Sequence, residues 1–166
     1  MSPKRLSHFF QVHVMVPVMD DSLQHGSLRN RLESFCRHQH IEALYVFGSR
    51  AGEIHEAMDG DRLESGLSSD VDIAVMLSGA FTLSVREKVE LAVGLENLLG
   101  VDRVDLVVLP EADPFLAVNV IRGERMYCRD EFAADEYELY VLRRAGDLAR
   151  FERMRLERIM DSPEWR

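Results

Sequence analysis

Asp70-Val71-Asp72-Ile73-Ala74-Val75-Met76-Leu77 opens by alternating acids with branched apolar residues and reads as one strand of a buried sheet. Successive side chains of a strand point to opposite faces, so Asp70 and Asp72 share one side while Val71, Ile73 and Val75 share the other, towards a core. Upstream, the apolar run 43–47 (Ala-Leu-Tyr-Val-Phe) is an earlier strand that ends at Gly48-Ser49. Downstream, 104–109 is a third strand, with Asp105 set between Val104 and Leu106 and with Pro110 closing it. Ser84-Val85-Arg86-Glu87 between the last two is a capping box, in which hydroxyl and carboxylate each satisfy an orphan amide at a helix start. Val85, Val89, Ala92, Leu95 and Leu99 carry that helix at helical spacing to a stop at Gly100.

The flanks extend the alternation. Residues 20–40 are helical in pattern, with Leu28, Leu32 and Phe35 on one face. Residues 50–69, rich in Gly, Ser and acids, read as a long loop. A short helix follows Pro114 and ends at Gly123, a short strand takes 124–128, and 131–160 reads as one long helix. Its stripe is Tyr137, Val141, Ala145, Leu148 and Phe151. Strands alternating with helices give an α/β or α+β sandwich.

Composition narrows the function. The chain has 166 residues with 20 Lys+Arg against 29 Asp+Glu, a net charge of −9. Such an acidic balance excludes a dedicated nucleic-acid binder, which needs a basic face for phosphates. No apolar run reaches the ~20 residues that cross a bilayer, so no membrane role is expected. Cys36 and Cys128, without C-x-x-C spacing, are read as ordinary thiols of a reducing cytoplasm. Lys4, Arg5 and the apolar residues after them imitate a signal peptide, but Gln11 and His13 interrupt the run and no cleavage site follows. Residues 1–18 are therefore read as a leader with Met15 and Met19 as alternative starts, or as contributing a strand over 8–16. Residues 19–166 form a single domain.

If the second and third strands are neighbours, Asp70, Asp72 and Asp105 converge on one face. Two carboxylates ~4 Å apart repel by about 4 kcal/mol at an effective dielectric of ~20, so such a cluster calls for a cation. Hard oxygen donors suit Mg²⁺ or Mn²⁺, and two such ions can clamp the attacking and leaving oxygens of a phosphoryl displacement. A single D-x-D is more often a solvated strand end. The turn Gly48-Ser49 changes the balance, because a glycine after a strand lets amides and a hydroxyl approach a phosphate closely.

Tyr45-Val46-Phe47-Gly48-Ser49-Arg50-Ala51, then Ser69-Asp70-Val71-Asp72-Ile73-Ala74-Val75, then Val104-Asp105-Leu106-Val107 resembles the DNA polymerase beta-type nucleotidyltransferase superfamily. Within it the chain is most similar to the minimal nucleotidyltransferases (MNT), which are frequently the antitoxin partners of HEPN-domain ribonucleases. The likeness spans 43–109 and extends more weakly through 121–130. It implies an α+β fold: a small mixed sheet with helices packed on one face, plus a long C-terminal helix. It also implies that Gly48 and Ser49 hold a nucleotide triphosphate, that Asp70 and Asp72 bind two Mg²⁺ ions (or Mn²⁺), and that Asp105 completes the site and helps activate the attacking hydroxyl. Arg50 is a further phosphate contact. The expected reaction moves AMP from ATP onto a hydroxyl, a tyrosine of a HEPN toxin, in the cytoplasm.

Two departures stand out. Ser49 and Asp70 are about twice as far apart as in minimal members of this motif family, and no second basic residue follows Arg50. Two other functions fit the same motifs. One is an antibiotic nucleotidyltransferase, for which 110–166 leaves little room for a drug pocket. The other is a catalytically weak antitoxin that acts by binding alone. A template-directed polymerase would need further modules and a basic channel. His38-x-His40 is a helix end rather than a metal site, Asp59-Gly60-Asp61 is a turn, and Tyr127 packs the last helix. Residues 143–158 hold six arginines against three acids, which suits either a solvated helix end or a docking surface.

Overall fold

The computed structural model describes residues 27–60, 70–79 and 82–160. The leader at 1–18, the helical pattern before residue 27 and the last nine residues of the 50–69 segment lie outside the described residues. Among the described residues, the α-helices and strands follow one another as α1 (Leu28–His38), β1 (Ile41–Phe47), α2 (Ala51–Gly60), β2 (Val71–Leu77), α3 (Val85–Leu99), β3 (Val104–Val108), α4 (Pro114–Ile121), β4 (Glu124–Cys128) and α5 (Glu131–Met160).

The strands form one mixed sheet in the order β3-β2-β1-β4. β1 runs antiparallel to both β2 and β4, and β2 runs parallel to β3. Parallel neighbours need a crossover, which α3 provides. Its start is the expected capping box: Ser84 N–H donates to Glu87 Oε2 at 2.7 Å and Glu87 N–H to Ser84 Oγ at 3.3 Å. Its end is Gly100, whose left-handed φ of 68° suits a residue without a side chain.

Helices cover both faces of this sheet, not one. The reason is β1, which is apolar at consecutive positions and therefore feeds two cores. Leu44 and Val46 join Val71, Ile73 and Val75 beneath α1, α2 and α3. Ala43, Tyr45 and Phe47 join Ala74 beneath α4 and α5, where Ala117, Val120 and Val141 meet them. Tyr127 is buried as expected, but in the first cluster, on the side away from α5.

The segment after Ser49 is also not a loop throughout: its first part is α2. Ala51, Ile54 and Met58 bury one stripe of it, spaced three and four residues apart as a helix requires. The polar residues between them, which suggested a loop, are its outer face.

α5 is tied down at its first turns. Arg125 on β4 donates to Glu131 Oε2 at 2.7 Å, Asp135 Oδ1 at 2.7 Å and Glu138 Oε1 at 3.1 Å. Tyr45 on β1 donates to Glu138 Oε1 at 2.9 Å. Burial, and then the bond to Glu138, push the Tyr45 phenol well above its ordinary range. Among the described residues, no helix is long and apolar enough to cross a membrane.

Candidate active site

Three strands meet at one end of the sheet, because β1 finishes where β2 and β3 begin. Phe47 is the register partner of Asp72, and Asp72 is the register partner of Asp105. One row of residues thus crosses the sheet, and Asp72 and Asp105 project from the same face. Asp70 lies just before β2 on that face and is exposed, while Asp72 and Asp105 are half-buried. The register sets Asp72 beside Asp105, and Asp70 lies two residues before Asp72 at the same end of the sheet.

The charges are felt most at Asp72. Partial burial, then Asp105, then Asp70 hold its carboxyl above the usual carboxylate range. Two of the three acids share a counter-charge within the chain. Arg103 donates to Asp105 Oδ1 at 2.8 Å and reaches Asp70 Oδ2 at 3.4 Å. Among the described residues, no group of three His, Cys, Asp or Glu is placed to hold a metal ion. The donor chemistry still fits a hard divalent cation: carboxylate oxygens in one cross-strand row, with their mutual repulsion concentrated on Asp72. Sequence reasoning passed over Arg103, although it lies only two residues from Asp105, on the alternate position that shares a strand face.

Gly48 closes the site from the β1 side. Its φ is +75°, and a β-carbon there would overlap Asp72 Oδ2 and lie 3.3 Å from Asp72 Cγ. Only glycine lets the chain turn this close to the carboxylate. From Gly48 the backbone makes a single tight turn, Gly48–Arg50, and runs directly into α2. Gly48 and Ser49 are exposed at this turn before the helix, the kind of position at which backbone amides and a hydroxyl favour an anion. Arg50 behaves differently. It is buried, and its Nε donates to Glu53 Oε2 at 3.1 Å.

The polymerase beta nucleotidyltransferase family model matches residues 30–132, a span that contains the turn and all three acids. The chain belongs to this family. Solved structures agree in fold. A chain of the toxin–antitoxin MntA–HpeT mutant crystal structure superposes with a TM-score of 0.61 at 22% identity, over 80% of this chain and 98% of that one. A toxin–antitoxin structure with AMP-PNP gives 0.60 at 24% identity, over 80% and 98%. The complex of a tri-AMPylated Shewanella oneidensis HEPN toxin with its MNT antitoxin gives 0.59 at 22% identity, over 80% and 96%. No curated protein matches the chain.

Within the nucleotidyltransferase domain the remaining candidates fall away from the site. His38 Nδ1–H donates locally to the Ser34 carbonyl, 2.7 Å away, in the last turn of α1. His40 takes a left-handed φ of 55° in the turn after it. Cys36 and Cys128 are free thiols, the first buried and the second half-buried.

Proposed function

We propose that this chain is an adenylyltransferase of the antitoxin type, moving AMP from ATP onto a tyrosine hydroxyl of a HEPN toxin and so inactivating it. The observation that carries the reading is the cross-strand pair Asp72 and Asp105 set against the Gly48 turn. It places acidic oxygens and open amides side by side, as a metal-bound triphosphate requires. Likeness of fold to an MNT antitoxin in complex with an AMPylated HEPN toxin supports the choice of partner and of transferred group. A related toxin–antitoxin structure holding AMP-PNP supports the nucleotide.

In this reading Asp70, Asp72 and Asp105 hold Mg²⁺, which when bound neutralises phosphate charge and aligns the oxygens of the displacement. The chain's own residues do the rest. Gly48 and Ser49 present amides and a hydroxyl to the β- and γ-phosphates. Asp105 accepts the proton of the acceptor hydroxyl. The acceptor oxygen forms a bond to the α-phosphorus, the α–β bridge breaks, and pyrophosphate leaves. Arg103, which holds Asp105 and Asp70 in the chain alone, would be freed from them by a bound cation and left within reach of the phosphates. Arg50, paired with Glu53, braces the turn from below.

The test is incubation with ATP and Mg²⁺, with and without the protein encoded beside it, read by intact mass. One or more AMP units should appear on the neighbour and vanish with Asp72→Asn, which removes a charged oxygen without changing shape. A stable complex with no adduct would instead establish an antitoxin that works by binding alone. The lock of Arg50 onto Glu53 and of Arg103 onto two of the acids favours that second reading.

A further inference from the structure

α5 continues well past the body it packs against. Its buried residues are Ala134, Val141 and Ala145. From Gly146 to Met160 every residue is exposed except Glu152, which amounts to about 22 Å of helix without support from its own domain. Helical stability in proteins comes mainly from packing an apolar face, and this stretch has nothing of its own chain to pack on among the described residues.

The outer surface of the whole helix is patterned. Phe132, Leu139 and Gly146 follow one another at intervals of seven, and Leu142, Ala149 and Leu156 lie at the matching intermediate positions. The four large members of this stripe are 72%, 51%, 47% and 49% exposed for Phe132, Leu139, Leu142 and Leu156. A seven-residue spacing of apolar residues, here interrupted by Asp135 and Arg153 at the same positions of the repeat, is how one helix lies along another. Charge divides along the same helix. Acids fill the first half, with Glu131, Asp135, Glu136 and Glu138, and arginines dominate from Arg143 onward.

We propose that α5 is a homodimer interface, pairing antiparallel with α5 of a second copy about a two-fold axis beside Arg144. An antiparallel pair sets the acidic half of each helix against the basic half of the other. In the register that aligns the stripes, Phe132 meets Leu156 of the second copy, and Asp135, which also accepts from Arg125 of its own chain, meets its Arg153. Leu139 then packs on Ala149, and Leu142 fills the space over Gly146, where a β-carbon would touch nothing within 4 Å. Large residues thus face small ones in successive layers, which is how helices interdigitate without voids. On the flank, exposed Glu136 lies opposite exposed Arg150. An unfavourable neighbour in the same arrangement is Arg143 against its own mate, exposed and screened by solvent. A two-fold contact of this kind is self-complementary, as the sequence of α5 is when read backwards against itself. This pairing does not depend on the nucleotide chemistry, and Asp72→Asn leaves it unchanged.

Sedimentation equilibrium of the full chain tests it. A dimer is expected, and Leu139→Glu with Leu142→Glu should turn it into a monomer whose melting remains cooperative. Arg150→Glu should weaken association at least tenfold, and adding Glu136→Arg should restore it, a reversal that no within-chain role predicts. Mixing Phe132→Cys with Leu156→Cys in a Cys128→Ser background should give a disulfide-linked dimer. Within one copy these positions are about 36 Å apart along the helix, so the bond has to join two copies. A monomer up to tens of micromolar, with the stripe covered by another protein or by the chain's own N-terminal residues, would overturn the proposal. So would a dimer indifferent to both the glutamate and the charge-reversal variants.

Discussion

Gly48 shows how much of the site hangs on a single backbone position. Its left-handed φ and its contact with Asp72 act together: any β-carbon there is strained by conformation and collides with a carboxylate oxygen. Gly48→Ala should therefore destabilise the fold by about 1–3 kcal/mol in urea melts. It should also weaken Mn²⁺ binding, because Asp72 has to swing aside. Preserved stability together with preserved Mn²⁺ affinity would remove Gly48 from the site. At this scale the sequence is legible as placement: a glycine after a strand, a D-x-D strand and a later strand acid mark positions that the register brings to one end of the sheet. What stayed hidden were partnerships. Arg50 was expected to face a phosphate, and its pairing with Glu53 depends on the next segment being helical. Arg103 becomes a counter-charge for Asp70 and Asp105 only once β2 and β3 are side by side.

Among the elements, α3 decides whether those strands meet, because it is the crossover that makes them parallel neighbours. Ser84→Ala removes half of its capping box and should cost about 1 kcal/mol. Ser84→Asp should recover most of that, as urea melts of the two variants would show. Equal stability of both variants with the parent would mean that α3 is held by packing alone. Elements bounded by strong punctuation were readable: the Ser84 cap, the Gly100 stop and the Pro114 start all delimit helices where expected. α2 was missed because its glycines and acids mark a turn when counted by composition. The spacing of Ala51, Ile54 and Met58, a weaker signal in so short a window, was the informative one. The two-sided coverage of the sheet was equally latent in β1, whose unbroken apolar run supplies both faces.

The whole molecule answers to alkali through its interior. Burial, and to a lesser degree Glu33, hold the Cys36 thiol far above its ordinary value of 9.0. Tyr45 is likewise raised from 10.0 by burial and by its bond to Glu138. Both groups keep their protons when folded at a pH where the unfolded chain releases them. Stability should thus be flat up to about pH 9, then fall by as much as ~1.4 kcal/mol per pH unit through Cys36, with Tyr45 adding a similar slope only above about pH 10. Urea midpoints at pH 8, 9 and 10 would show this, and Cys36→Ala should reduce the slope between the last two. A midpoint independent of pH across that range would contradict the raised Cys36 thiol. The pairing of β3 with β2 carries another consequence, for the order of events. The first rung of that ladder is the bond from Val71 N–H to the Arg103 carbonyl at 3.0 Å, and the side chain of the same residue neutralises Asp70 and Asp105. The incoming strand therefore brings its own counter-ion to a cluster of like charges. In the proposed reading a divalent cation would enter a finished scaffold, one positive charge taking the place of another, rather than help to build it.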